Sequence, residues 1–158
     1  MAVPQTTPFP FSADQGSTRG EARMRGPANL RVYGVLVRNE TVLVAAEQVA
    51  GRDVLKFPGG GVDENETPEM ALCREFGEEC GLDIRISRLV HVPGTLFSPW
   101  THTNYTPLYY QVEADGDPSV PDGESLTLSF MDMENALKSG RMAGPELFAL
   151  SRVLGAVG

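Results

Sequence analysis

The 158-residue sequence has two cysteines, two histidines, one tryptophan and 13 basic against 21 acidic residues. Each shortage removes a class of protein. No run approaches the roughly 18 apolar residues of a membrane span, and the N-terminus lacks the basic-then-apolar order of a secretory signal, so a cytoplasmic location without membrane attachment is expected. The formal charge of −8 argues against nucleic-acid and anionic-membrane partners, which call for basic surfaces. A phosphate-bearing ligand would need a cation to bridge it to this protein. Cys73 and Cys80 fall on one predicted helix, where their Cα atoms stand about 10 Å apart, beyond disulfide reach. Both are expected as buried, reduced thiols, since neither histidine nor a third cysteine lies near them in sequence to complete a metal site.

The length suits a single domain that buries roughly two thirds of the surface of its unfolded chain. Its 17 glycines and 12 prolines mark loop-rich stretches in the first thirty residues and around 93–123. Residues 1–27 have no sustained periodicity and form an N-terminal extension, either packed on the body or a partner subunit through Phe9 and Phe11, or disordered. The domain proper spans 28–158. A β-rich run over 30–37, polar Arg38-Asn39-Glu40 and a second β-rich run over 41–44 predict a hairpin. Short strands follow at 54–57, 85–92, 107–113 and 126–131. A helix is expected over about 132–139 and another from Pro145, with Leu147, Leu150 and Leu154 as its buried stripe. The mixture predicts an α/β or α+β domain, a mixed sheet flanked by helices.

Chemistry concentrates between Gly59 and Ile84. Thr67 as N-cap, Pro68 at the first helical position and Gly81 just past the end predict a helix over 68–80. Within it Glu75, Glu78 and Glu79 stand at i, i+3 and i+4 on one face, with Cys73, Phe76 and Cys80 toward the other. The acidic face is costly. Like charges at this spacing repel by a few tenths of a kcal/mol per pair, and the negative end of the helix dipole adds about 0.3–1 kcal/mol each. A divalent cation would offset both penalties, and an oxygen-only cluster suits Mg²⁺ or Mn²⁺. The bland alternative is an acidic face that is merely solvated.

Reading Gly60, five residues, Glu66, seven residues, Arg74-Glu75-Phe76-Gly77-Glu78-Glu79-Cys80-Gly81-Leu82, the segment resembles the signature of the Nudix (MutT-like) hydrolases at every fixed position. One softer position departs from it. The family usually places a bulky aliphatic after Arg-Glu, and Phe76 stands here, which predicts a packing adjustment without loss of chemistry. The resemblance implies an α/β/α sandwich and a pyrophosphohydrolase in which water attacks phosphorus of a nucleoside diphosphate linked to another moiety, such as ADP-ribose, or of a nucleoside triphosphate. It also implies Glu78 and Glu79 as metal ligands, Glu75 as ligand, base or both, the Gly59 carbonyl as a further ligand, and Glu66 paired with Arg74 to pin loop to helix. A fourth carboxylate from a later loop is expected at Glu124, with Asp122 and Glu113 as rivals. Many relatives are homodimers.

Outside this box, Phe97 and Trp100 are candidate substrate-binding aromatics in a stretch over 96–105 that otherwise reads as a packed loop. Pro99 lies close to, but out of register with, a proline often found in ADP-ribose-cleaving relatives. His102 is a candidate general base or a plain polar loop residue, and His91 reads as packing. Two other functions compete. A catalytically silent sensor or interaction module of the same fold would usually have lost a box carboxylate, and all are present here. A purely structural acidic domain would gain no stability from Mg²⁺ or Mn²⁺.

Overall fold

The computed structural model describes residues 29–99, 101–123 and 125–157, with the backbone alone at residues 156 and 157. The extension over 1–27, Trp100 and Glu124 therefore lie outside the described residues. Strands β1 (Leu30–Arg38) and β2 (Thr41–Val49) form the expected hairpin, turning through Asn39 and Glu40 at φ 50° and 71°. Two consecutive positive φ values give the turn a twist that matches the paired strands. A second tight turn, at Ala50 and Gly51, leads into β3 (Arg52–Lys56). The chain continues through β4 (Gly59–Gly61), α1 (Pro68–Cys80), β5 (Arg85–His91), β6 (Leu96–Ser98), β7 (Thr103–Glu113) and β8 (Thr127–Asp132), then α2 (Met133–Lys138) and α3 (Gly144–Val157).

Strand order is β3-β2-β1-β7-β5, with β8 paired to β2, β4 to β1 and β6 to β7. Of these pairs only β1 and β7 are parallel, in register from Leu30↔Thr106 to Leu36↔Val112. A parallel pair needs a long crossover, and α1 lies within it. One departure from a simple sheet positions the site. β1 meets β2 at Val37 and Arg38, and toward its start it pairs with β4, Arg31–Tyr33 opposite Gly61–Gly59. The glycine loop is thereby fastened to the first half of β1.

Alternation along β1 divides the core in two. Val32 and Leu36 pack with Leu72, Phe76 and Cys80 of α1, whereas Val35 packs with Ala136 of α2 and Leu150 and Val153 of α3. The result is the expected mixed sheet between helices on both faces. The departure at Phe76 has a physical counterpart at Gly34. A Cβ on Gly34 would stand 2.5 Å from Phe76 Cε1, so the missing side chain opposite makes room for the ring.

Two readings are corrected. Cys73 is exposed, because the buried stripe of α1 runs through Leu72, Phe76 and Cys80 at i, i+4 and i+8 and leaves Cys73 about 100° around the helix. The stretch expected as a packed loop instead carries β6 (Leu96–Ser98), which pairs with the start of β7 in a ribbon, Leu96 opposite Tyr105 and Ser98 opposite Thr103. Its turn has His102 at φ 57° in place of the Asn-Gly or Asp-Gly pair that announces a hairpin. His91 packs as expected, its ring 4.5 Å from that of Phe148 and nearly parallel to it. Among the described residues, no helix is long and apolar enough to cross a membrane.

Candidate metal centre and substrate cavity

The first requirement is a helix held against a loop. Thr67 Oγ1 accepts from the backbone N–H of Met70 at 3.0 Å, and Gly81 adopts the left-handed conformation that ends the helix, at φ 66°. These two caps set α1 over the predicted span, and the packing of Leu72, Phe76 and Cys80 fixes the rotation of its acidic face.

Arg74 then binds the loop to the helix. Its Nε donates to Glu66 Oε2 at 2.7 Å and its Nη2 to Glu66 Oε1 at 2.9 Å, a bidentate pair. Nη2 also donates to the Gly61 carbonyl at 2.9 Å, and the backbone N–H of Asp63 closes the turn on Glu66 Oε1 at 2.8 Å. The hydrogen bonds from Arg74 and Asp63 hold the Glu66 carboxyl down at about 2. The remaining nitrogen, Nη1, stands 3.2 Å from both Glu75 Oε2 and Glu78 Oε1. Two box carboxylates thus already converge on one cationic group.

Glu75 lies against the glycine loop. A Cβ on Gly60 would run into its carboxylate, so glycine at that position allows the loop to lie directly on the acid. Burial pushes the Glu75 carboxyl above its usual range and Glu78 adds repulsion, while Arg74 and Arg31 pull it back. Glu79 Oε1 accepts from the Gly59 N–H at 3.2 Å, which brings the third acid to the loop.

Among the described residues, no three His, Cys, Asp or Glu side chains stand close enough to hold a single ion in their present rotamers. The donor set nevertheless fits an oxygen-seeking divalent cation. Three carboxylates share one face beside a glycine loop, a guanidinium nitrogen lies between two of them, and Glu78, whose side chain is 59% exposed, has room to swing toward Glu75. The Gly59 carbonyl lies in that same loop. Glu113 is placed away from this centre: it ends β7, beyond Val112, which pairs with Leu36, whereas the loop meets β1 at Arg31–Tyr33.

On the other face of β1 a cavity of about 330 Å³ opens beside the loop. Arg31 joins the two regions. It lines the cavity, donates from Nε to Tyr33 Oη at 2.8 Å, and is raised in pKa by Tyr33, Glu75 and Glu79 against the opposing effect of burial. Also lining the cavity, Lys56 Nζ pairs with Glu47 Oε2 at 2.9 Å, and Glu146 Oε2 accepts from Tyr109 Oη at 2.6 Å. Burial holds the Glu146 carboxyl above its usual range, opposed by the Tyr109 hydroxyl and the Lys56 charge.

Phe97 does not line this cavity. Ser98, Thr103 and Tyr105 of the ribbon do, while Phe97, opposite Asn104, occupies the alternate face and packs its ring edgewise against His102. Among the described residues, the aromatics that line the cavity are Tyr33 and Tyr105. Neither they nor Arg31, Lys56 and Glu146 carry a sequence signal. Arg31 and Lys56 look like solvated strand residues, and Glu146 looks like an ordinary acid in the first turn of a helix.

Comparison with known proteins bears on this geometry. The NUDIX domain model matches residues 28–150. An RNA pyrophosphohydrolase of Cellvibrio japonicus is 44% identical over 48 residues, covering 30% of this chain and 28% of that protein. The chain thus matches less than a third of the length of that curated relative. Two solved structures share the fold: a NUDIX hydrolase from Nitrosomonas europaea, with TM-score 0.69 and 18% identity over 81% of this chain and 89% of that one, and a MutT NUDIX hydrolase from Burkholderia pseudomallei, with TM-score 0.64 and 22% identity over 79% and 97%.

Proposed function

Because the chain belongs to the Nudix domain family, we propose that it is a divalent-metal-dependent pyrophosphohydrolase acting on a nucleoside diphosphate linked to another moiety, a nucleotide-sugar or a nucleoside triphosphate. The observation that carries this reading is the Arg74 brace, which holds Glu66, the Gly61 carbonyl and two of the three box acids in one assembly. The name of the Cellvibrio japonicus relative adds support for cleavage of a phosphoanhydride.

Glu78 and Glu79, with Glu75 and the Gly59 carbonyl, would hold Mg²⁺ or Mn²⁺. When bound, the ion neutralises phosphate charge and lowers the pKa of coordinated water. The residues of the chain do the rest. Glu75, set against the loop, takes up the proton of the attacking water. Arg74 and Glu66 act as positioning residues that keep the loop on the helix. Arg31 receives phosphate oxygens at the mouth of the cavity, where an acidic protein otherwise repels them. Glu124 is proposed as a fourth carboxylate.

Glu78→Gln tests the reading. With the full chain, Mg²⁺ or Mn²⁺ and a panel of nucleotide-sugars, dinucleoside polyphosphates and nucleoside triphosphates, wild type is expected to release a nucleoside monophosphate from at least one substrate. The variant should lose about a hundredfold or more in turnover with its circular dichroism and melting temperature in the absence of metal preserved. Equal turnover in the two proteins would sink the proposed centre. Nucleotide binding without turnover in wild type would favour a sensor instead.

A further inference from the structure

The cavity carries more polar groups than phosphate hydrolysis requires. It is lined by a half-buried acceptor, Glu146, and by a cationic donor, Lys56, whose charge acts on that carboxyl. Glu146 spends one oxygen on the Tyr109 hydroxyl, at 2.6 Å. An ionised carboxylate offers about four lone-pair sites, so acceptor capacity remains on a side chain that lines the cavity. Lys56 lines the same cavity and uses one of its three donors on Glu47. Tyr33, stacked on Tyr109 with ring centroids 5.4 Å apart, and Tyr105 line the cavity as well.

We propose that this cavity holds the base of the nucleotide and selects guanine, with Glu146 accepting from N1–H and the 2-amino group and Lys56 donating to O6. The assignment rests on the reading of the chain as a nucleotide pyrophosphohydrolase and narrows it. Adenine presents an acceptor, N1, to the carboxylate and an amino group to the ammonium, which reverses both contacts. Cytosine fails in the same way through N3 and N4. Uracil offers one N–H donor where guanine offers two, and hypoxanthine lacks only the 2-amino donor. Two N–H donors from a ligand also offset the desolvation that holds the Glu146 carboxyl above its usual range.

Nucleoside monophosphates test this directly, because they carry no phosphoanhydride and bind without being consumed. Titration calorimetry with the full chain in Mg²⁺ should give GMP an affinity about ten- to a hundredfold above AMP, the discrimination expected of a bidentate contact. IMP should fall between them. Glu146→Gln should bring GMP and AMP within about threefold, and Lys56→Met should weaken GMP and IMP alike. AMP binding as tightly as GMP in wild type overturns the proposal, as does an unchanged GMP preference in a Glu146→Gln protein of normal melting temperature. If that variant fails to fold, the order GMP, IMP, AMP in wild type and the Lys56→Met result decide. Preference for GMP without turnover of any substrate would sink the hydrolase reading and leave the base assignment standing. Turnover with no base preference would sink the base assignment alone.

Discussion

Arg74 is asked to do several things at once, and its neighbours show which of them matter at the scale of a residue. The bidentate pair with Glu66 and the bond to the Gly61 carbonyl are structural, whereas the contacts to Glu75 and Glu78 hold acids that would otherwise repel each other. This division has a pH signature. The Glu66 carboxyl is held down at about 2 against an ordinary value of 4.5, so the stabilisation it contributes is fully present above pH 4.5 and is lost as pH falls through about 2. Melting temperatures taken between pH 6 and pH 2 should therefore fall more steeply for wild type than for Glu66→Gln, whose own loss is already present at pH 6. Parallel curves would show that the pair contributes nothing. The Arg74–Glu66 pair was legible in the sequence through the box spacing. Arg31 and Glu146 were not, because a charged residue on a strand or in a first helical turn is ordinary until the fold shows what it faces.

At the scale of an element, α1 was read correctly in span, caps and acidic face, since all three depend on local signals. Its buried face was read less well. Cys73 was expected inside and is exposed, because it stands about 100° around the helix from Leu72, outside the i, i+4 line that packs on β1. The packing of that line against Gly34 makes a prediction. Gly34→Ala drives a Cβ to 2.5 Å from the Phe76 ring and should cost about 1–3 kcal/mol, the usual penalty of an overfilled core. Phe76→Leu removes the ring from contact and should also destabilise. The double variant should be more stable than the sum of the two by about 0.5–3 kcal/mol, as measured by urea unfolding. Simple additivity would mean that Gly34 and Phe76 are not complementary. The β6–β7 ribbon was the element least legible, since the connection between its strands lacks the Asn-Gly or Asp-Gly pair that announces a hairpin.

For the whole molecule, two layers of helix enclose one mixed sheet, and the candidate centre and the cavity lie on opposite faces of β1 with Arg31 at the joint. A charge of −8 leaves the box acids without wider cationic support. Millimolar Mg²⁺ or Mn²⁺ is therefore expected to raise the melting temperature, since a ligand at a hundred times its Kd stabilises by about 2.7 kcal/mol. The rise should appear equally in the full chain and in a fragment of residues 28–158, and Glu78→Gln should abolish it in both. A rise that persists in the variant would place the ion elsewhere. Loss of folding in the fragment would make residues 1–27 part of the domain.

The sequence by itself determined the family, the span of α1, the acids on one of its faces and the brace that holds the loop, because each of these is written in residues less than about two dozen positions apart. Helical periodicity, capping and motif spacing act over that range and need no tertiary information. Only the tertiary structure decided what surrounds the acids. The pairing of β4 with the start of β1 laid Gly60 on Glu75, and the packing of α3 on the sheet brought Glu146 to the same cavity as Arg31 and Lys56. Arg31, Lys56 and Glu146 are separated by 25 and 90 residues along the chain. Contacts at such distances depend on how the sheet closes and which faces its helices cover, and no local pattern records them.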